Sequence, residues 1–208
     1  MNTLSLIKGG LINPKETWQS YLEGNYSWKD TAISLTLPLI VVSTILMALF
    51  NWLFASYSMF GVYMGVGATI KQIIASLISI SVASFIFAIL AKVFGGNNDF
   101  NRAFNALSLT AIPGSIGGIL GSLPMVGVFI ALIFGILSIV YLYKIIPLYL
   151  EVPQSKRVLH FIVSVVVTIV VMFIIGSALN LNRSNDYKIN TNNVGANTIT
   201  DMINKAQK

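Results

Sequence analysis

The chain has 208 residues, of which 55% are apolar and only 10% charged, a balance far from that of a soluble domain. Mean hydropathy is +0.79. The lack of cysteine removes disulfides and thiolate chemistry. The net charge of +6 is scattered over short segments that suit anionic lipid head groups, with no basic face interleaved with aromatics as a nucleic-acid binder would need.

Residues 1–30 lack the continuous apolar core of a signal peptide, because Lys8, Gly9, Gly10, Asn13 and Pro14 interrupt it, so the start is expected to be retained. Asn13, Pro14 and Glu16 supply a cap residue, a proline at the first helical position and an acid three residues after the cap, which together signal a helix start. Trp18, Tyr21 and Leu22 share one face of that helix. It reads as a helix lying on the membrane, with Trp18, Tyr21 and Trp28 as interfacial anchors.

Five long apolar stretches follow, at residues 31–55, 70–91, 103–122, 125–148 and 158–180, with every Asp, Glu, Lys and Arg outside them or at their ends. About 20 such residues cross a hydrocarbon core about 30 Å thick as a helix, the one single-segment structure that satisfies its own backbone in lipid. In the fifth, twelve residues between Phe161 and Ile175 are Leu, Ile, Phe or Val. Together they favour insertion by about 5 kcal/mol. The expected fold is an all-α integral membrane protein: a five-transmembrane-helix bundle over 31–180, a cytoplasmic N-terminal segment over 1–30 with its interfacial helix, and a polar, mobile tail over 181–208. A weak terminal helix is expected at 198–208.

Within the spans, Asn51, Asn105 and the serines Ser76, Ser79, Ser81 and Ser84 are expected to face the bundle interior. Pro113 removes a backbone donor, which predicts a kink between Leu109 and Pro113. After it, Gly114 with Gly118 and Gly117 with Gly121 form two overlapping small-residue pairs, and Gly127, Ala131 and Gly135 continue the theme in the fourth span. The short turn at 121–124 makes spans three and four an antiparallel hairpin. These glycines read as intramolecular packing, with a subunit interface or a solute path as alternatives.

The loop Gly95-Gly96-Asn97-Asn98-Asp99 reads as a turn with a helix cap at Asn98 or Asp99. Arg102 reads as a snorkelling interfacial anchor. Alternatively it belongs, with Gly95, Gly96, Phe100, Lys156 and Arg157, to a cytoplasmic surface that touches a partner. Lys8, Lys15, Lys29, Lys92, Arg102, Lys144, Lys156 and Arg157 fall on one side, against Lys71 and the tail's cations on the other, which places the N-terminus in the cytoplasm and the C-terminus outside.

A single histidine, His160, reads as interfacial and leaves too few ligands for a transition metal. The carboxylates are scattered, and no nucleophile elbow or phosphate loop occurs, so neither an enzyme nor a cofactor is expected. No ionisable residue stands at mid-span, which argues against an ion-coupled carrier.

Phe94-Gly95-Gly96, Phe100, Arg102-Ala103 and Ala111-Ile112-Pro113 resemble the pattern of the Yip family, named for interaction with Ypt/Rab GTPases. Leu11-Ile12-Asn13-Pro14 with Thr17-Trp18, and Ile146-Pro147 with Val152-Pro153 and Lys156-Arg157, extend the resemblance over residues 11–180. It implies five spans and a cytoplasmic N-terminus. The acidic Asp-Leu-Tyr-Gly-Pro motif of eukaryotic members has no counterpart here. Bacterial relatives similar in length sometimes accompany ABC exporters in antimicrobial-peptide resistance. The resemblance thus implies a bacterial cytoplasmic-membrane protein that contacts lipid and another membrane protein, such as an exporter, or itself, as an accessory subunit. A small-solute channel formed by self-association and a GTPase-linked scaffold are the alternatives.

Overall fold

The computed structural model describes residues 2–54, 62–178 and 187–189. The expected helix at 198–208 and most of the tail lie outside these residues. Five helices are long and apolar enough to cross a membrane: Trp28–Phe54, Val66–Val93, Phe100–Gly121, Gly127–Tyr149 and Arg157–Ser177. The first is built from α3 (Trp28–Thr31), a π-helical segment (Ala32–Thr36) and α4 (Leu37–Phe54). The others are α5 (Val66–Val93), α6 (Phe100–Gly121), α7 (Gly127–Tyr149) and α8 (Arg157–Ala178). The all-α five-span bundle expected from hydropathy is therefore present. To it the structure adds an antiparallel ribbon of β1 (Val62–Met64) and β2 (Tyr187–Ile189), with Tyr63 opposite Lys188. The ribbon ties the chain entering α5 to the chain beyond α8, at the end of the bundle where Asn51 also donates to the Ser122 hydroxyl at 3.3 Å.

α6 is the centre of the bundle and packs against α7, α5, α4 and the N-terminal helices. Its small residues allow this. A Cβ at Gly117 would lie 2.5 Å from the Phe134 Cβ, one at Gly121 2.9 Å from the Ala131 Cβ, and one at Gly127 2.4 Å from the Gly121 carbonyl oxygen. These three glycines hold α6 and α7 as a close antiparallel pair. Gly118 faces the Met47 sulfur of α4 instead, at 3.1 Å, while a Cβ on Gly135 would meet nothing within 4 Å.

α6 runs through Pro113 without interruption. Its ring disturbs the helical hydrogen bonds of the preceding turn. The Gly114 N–H, next in the chain, donates across to the Ser138 hydroxyl of α7, at 2.7 Å. A neighbouring helix thus supplies a partner in a setting without water. Ser138→Ala should lower thermal stability in detergent by about 1–3 kcal/mol, the cost of one stranded buried donor. A melting temperature equal to that of the unaltered protein would refute this.

The N-terminus holds two helices, α1 (Thr3–Ile12) and α2 (Pro14–Glu23), not one. α2 begins where Asn13, Pro14 and Glu16 predict it. Asn13 donates from its side chain to the Glu16 carboxylate but does not cap the helix through its own side chain. α1 is capped by Asn2, whose side chain accepts from the Leu4 N–H. Leu6 is fully buried, and a Cβ on Gly10 would lie 2.8 Å from the Ile112 Cδ1. Ile112 lies roughly 18 Å along α6 from its first residue, at 1.5 Å per residue, so α1 reaches well down the side of the bundle.

Trp18 and Tyr21 are only 4% and 1% exposed. They pack with Leu35, Leu109, Ile145 and Tyr149 in the larger of two core clusters, and Trp18 meets the Tyr141 ring edge-on. The expectation that they anchor the chain in the lipid interface is corrected accordingly: α2 turns its aromatic face onto α6 and α7. Of the three expected anchors only Trp28 keeps a substantial exposed surface, at 40%, while packing against Phe100 and Phe104.

Candidate functional site

At the end of the bundle that carries α1 and α2, polar side chains form a continuous seam. Thr31 donates from its hydroxyl to the Asn105 Oδ1 at 2.6 Å, which leaves the Tyr21 hydroxyl as donor in its 2.8 Å contact with Thr31. Burial pushes the Tyr21 phenol above its ordinary range and keeps that proton in place. Asn105 donates onward from Nδ2 to the Tyr26 carbonyl at 2.8 Å. The N-terminal helices are fixed at three further points: Tyr149 donates to the Trp18 carbonyl at 2.8 Å, Thr3 to the Ser34 carbonyl at 2.6 Å, and Tyr141 to the Leu11 carbonyl at 3.4 Å.

The neighbouring loop explains the motif Gly95-Gly96. Gly95 has φ +85°, a left-handed conformation that glycine adopts without strain. Gly96 sits so close to the chain after α7 that a Cβ would fall 2.4 Å from the Leu150 carbonyl oxygen, and the Asn97 N–H donates to that same oxygen at 2.7 Å. Asp99 is the cap: its Oδ1 accepts from the backbone of Asn101 and Arg102. Arg102 pairs with Glu151 and, at 3.8 Å, with Asp99. Beyond the interfacial anchor expected of it, Arg102 thus ties the first turn of α6 to the segment that follows α7. Phe100 stacks beside Trp28 and Phe104, and the Arg157 guanidinium lies 5.5 Å from the Tyr143 ring centre. Lys156 alone among the six loop candidates is a cation standing exposed.

Arg102→Glu should cost about 0.2–1 kcal/mol, the worth of a partly exposed pair. Adding Glu151→Arg should restore the loss, read as melting temperature in detergent. A double variant less stable than either single one would mean that the pair does not join the loops.

His160 is not interfacial. It is fully buried, with Nε2 3.2 Å from the Phe87 carbonyl and its ring edge-on to Phe87 and Phe94. Phe87 carries the second core cluster, where α5, α6 and α7 meet.

Between the spans lies an open cleft of about 610 Å³, to which α4, α5, α6, α7 and α8 all contribute. Its surface is mostly apolar, studded with hydroxyls and one amide, Gln72, and no Asp, Glu, Lys, Arg or His is among the described residues that line it. Thr36 and Ser108 close its floor with a 2.8 Å hydrogen bond. Thr36 comes from the π-helical segment, where its hydroxyl reaches the Thr31 carbonyl five residues earlier, at 3.3 Å. π-helical turns collect at functional positions. Through Thr31 the floor connects to Asn105, which lines a smaller polar cavity of about 220 Å³ beside Asn101 and Arg102.

Ser76 and Ser79 line the cleft as expected of an inward face, whereas Ser81 is exposed and donates to its own helix, and Ser84 is buried elsewhere. Sequence reasoning missed Thr36, Ser43, Ser108, Ser138 and Thr168. The signal in the sequence is no more than scattered hydroxyls within the apolar runs.

No carboxylate, amine or imidazole among the described residues lines the cleft to take a proton from its hydroxyls. Among the described residues, no three His, Cys, Asp or Glu side chains stand close enough to hold a metal ion. A family model described as the Yip1 domain matches residues 8–176. No curated protein and no solved structure matches the chain.

Proposed function

The chain belongs to the Yip family of membrane proteins, and on that premise we propose that it is a non-catalytic accessory or assembly subunit of a larger membrane complex, such as an ABC-type exporter that confers resistance to antimicrobial peptides. The observation that carries this reading is the neutrality of the interior. A carrier driven by protons or ions places an ionisable side chain at mid-depth, and the cleft here has none along its lining. What the molecule offers is surface: α8 and α7 have only 11% and 17% of their apolar windows buried within the chain, against 61% for α6. On this reading the seam and the loops of Arg102 and Lys156 face the bacterial cytoplasm, where Lys156 meets a partner's acidic side chain.

Affinity purification of the intact chain in mild detergent from its own cell membranes tests this. A second membrane protein recovered in fixed ratio, and depleted from its complex when the gene is deleted, is the expected result. Recovery of the chain alone, with every membrane complex intact in the deletion strain, would contradict it. The hydroxyls of the cleft favour one rival, a small-solute channel made by self-association.

A further inference from the structure

We propose that the five-helix cleft is a binding site for an uncharged lipid bearing a free hydroxyl, of the diacylglycerol kind, which enters from the bilayer. The volume of about 610 Å³ is that of an ordinary small-molecule site, and so is the lining of apolar wall with a few placed polar groups. The cleft lies at the depth of the spans. Its wall is thinnest between α7 and α8, which meet edge-on at Tyr143 and Phe161 and pack little elsewhere. Ile139 and Leu142 of α7 and Thr168 and Met172 of α8 line the cleft on either side of this weak seam, so an acyl chain that parts it reaches the interior without crossing water.

The hydroxyls select the head group. Ser43 donates to the Ile40 carbonyl at 3.2 Å, Thr110 to the Leu107 carbonyl at 3.1 Å and Thr168 to the Ser164 carbonyl at 2.7 Å. Each has spent its proton on its own helix and keeps an oxygen that accepts. Ser138, which accepts from the Gly114 N–H, keeps its own proton to give, so the lining presents acceptors and a donor together, and the group that meets both is a hydroxyl. An anionic head group would stand at membrane depth with no cation among the described lining residues. A cation would stand at membrane depth with no counter-charge among the lining residues. A neutral lipid with a hydroxyl donor meets both conditions, and its chains cover the apolar wall. This inference does not rest on the accessory-subunit reading and is tested apart from it.

The test uses the purified full chain in phosphatidylcholine vesicles containing a diacylglycerol with a photoreactive acyl chain, beside matched vesicles with photoreactive phosphatidylcholine or phosphatidate. Labelling by the diacylglycerol within α5 and α6 around Ser79 and Ala111, in preference to the other two, is expected. The shape-preserving variant Ser43→Ala, Thr110→Val, Thr168→Val should reduce that labelling about tenfold, the equivalent of about 1.4 kcal/mol, with phosphatidylcholine labelling of the outer faces unchanged. A second variant, Ser79→Phe with Ala111→Phe, fills the cleft and should abolish the labelling; if it does not fold, the acceptor-removing variant decides. Equal labelling by all three lipids, or labels confined to the exposed faces of α7 and α8, would overturn the proposal. So would a Ser79→Cys variant that crosslinks in native membranes to a helix of another protein.

Discussion

Replacing Gly117 by leucine should remove most of the folded protein from the membrane, whereas Gly135→Leu on the next helix should leave its amount and melting temperature unchanged. The difference lies in what each side chain would meet. At Gly117 the first added carbon falls 2.5 Å from the Phe134 Cβ and 3.5 Å from the Ala131 carbonyl oxygen, so α7 itself must retreat. Overpacking a close-fitted contact costs about 1–3 kcal/mol and sometimes more. Here the same seam carries Gly121 and Gly127, which lose their fit when the helices part. Gly118→Leu should cost less, because its obstacle is the flexible end of Met47. Size-exclusion profiles and thermal unfolding in detergent read all three. A Gly117→Leu protein indistinguishable from Gly135→Leu would show that α6 and α7 do not pack through this seam. If Gly135→Leu folds normally but loses a co-purified membrane partner, its open position is part of the outer contact.

The second large effect is expected at Asn105, which is 4% exposed and joins α6 to both sides of the N-terminal segment. Asn105→Leu strands the buried Thr31 hydroxyl, at about 1–3 kcal/mol for a buried group left unpaired, and removes the tie from α6 to the Tyr26 carbonyl. The five spans are held by separate apolar contacts and should persist. α1 and α2 should loosen, so that protease cuts within residues 24–27 at a much higher rate while the fragment beyond remains in the membrane. Cleavage at the unaltered rate would mean that the apolar contacts of Leu6, Trp18 and Tyr21 suffice to hold the cap without the seam.

The spans were legible because hydropathy over 20 residues is a strong signal: 103–122 was expected, and Phe100–Gly121 is found. α1 was not legible. Lys8, Gly9 and Gly10 weaken it as an isolated helix, and it stands because Gly10 lets Ile112 close onto it and Leu6 finds a buried site, contacts between residues a hundred positions apart. Trp18 and Tyr21 were placed on the right face of the right helix, yet nothing local says whether that face meets lipid or protein. Arg102 likewise looked unpaired because its partner, Glu151, is 49 residues away. The cleft is the clearest case. One to three hydroxyls per span form no pattern along the chain and become a site only when five helices bring them together.

Flux through the purified chain bears most directly on the claim that this bundle offers surfaces and binding sites and carries out no transport of its own. Reconstituted alone into sealed liposomes, it should leave the permeability to protons, to monovalent ions and to small uncharged solutes at the level of protein-free vesicles. A saturable flux above that level, lost in the Thr36→Val and Ser108→Ala variants at the floor of the cleft, would contradict it.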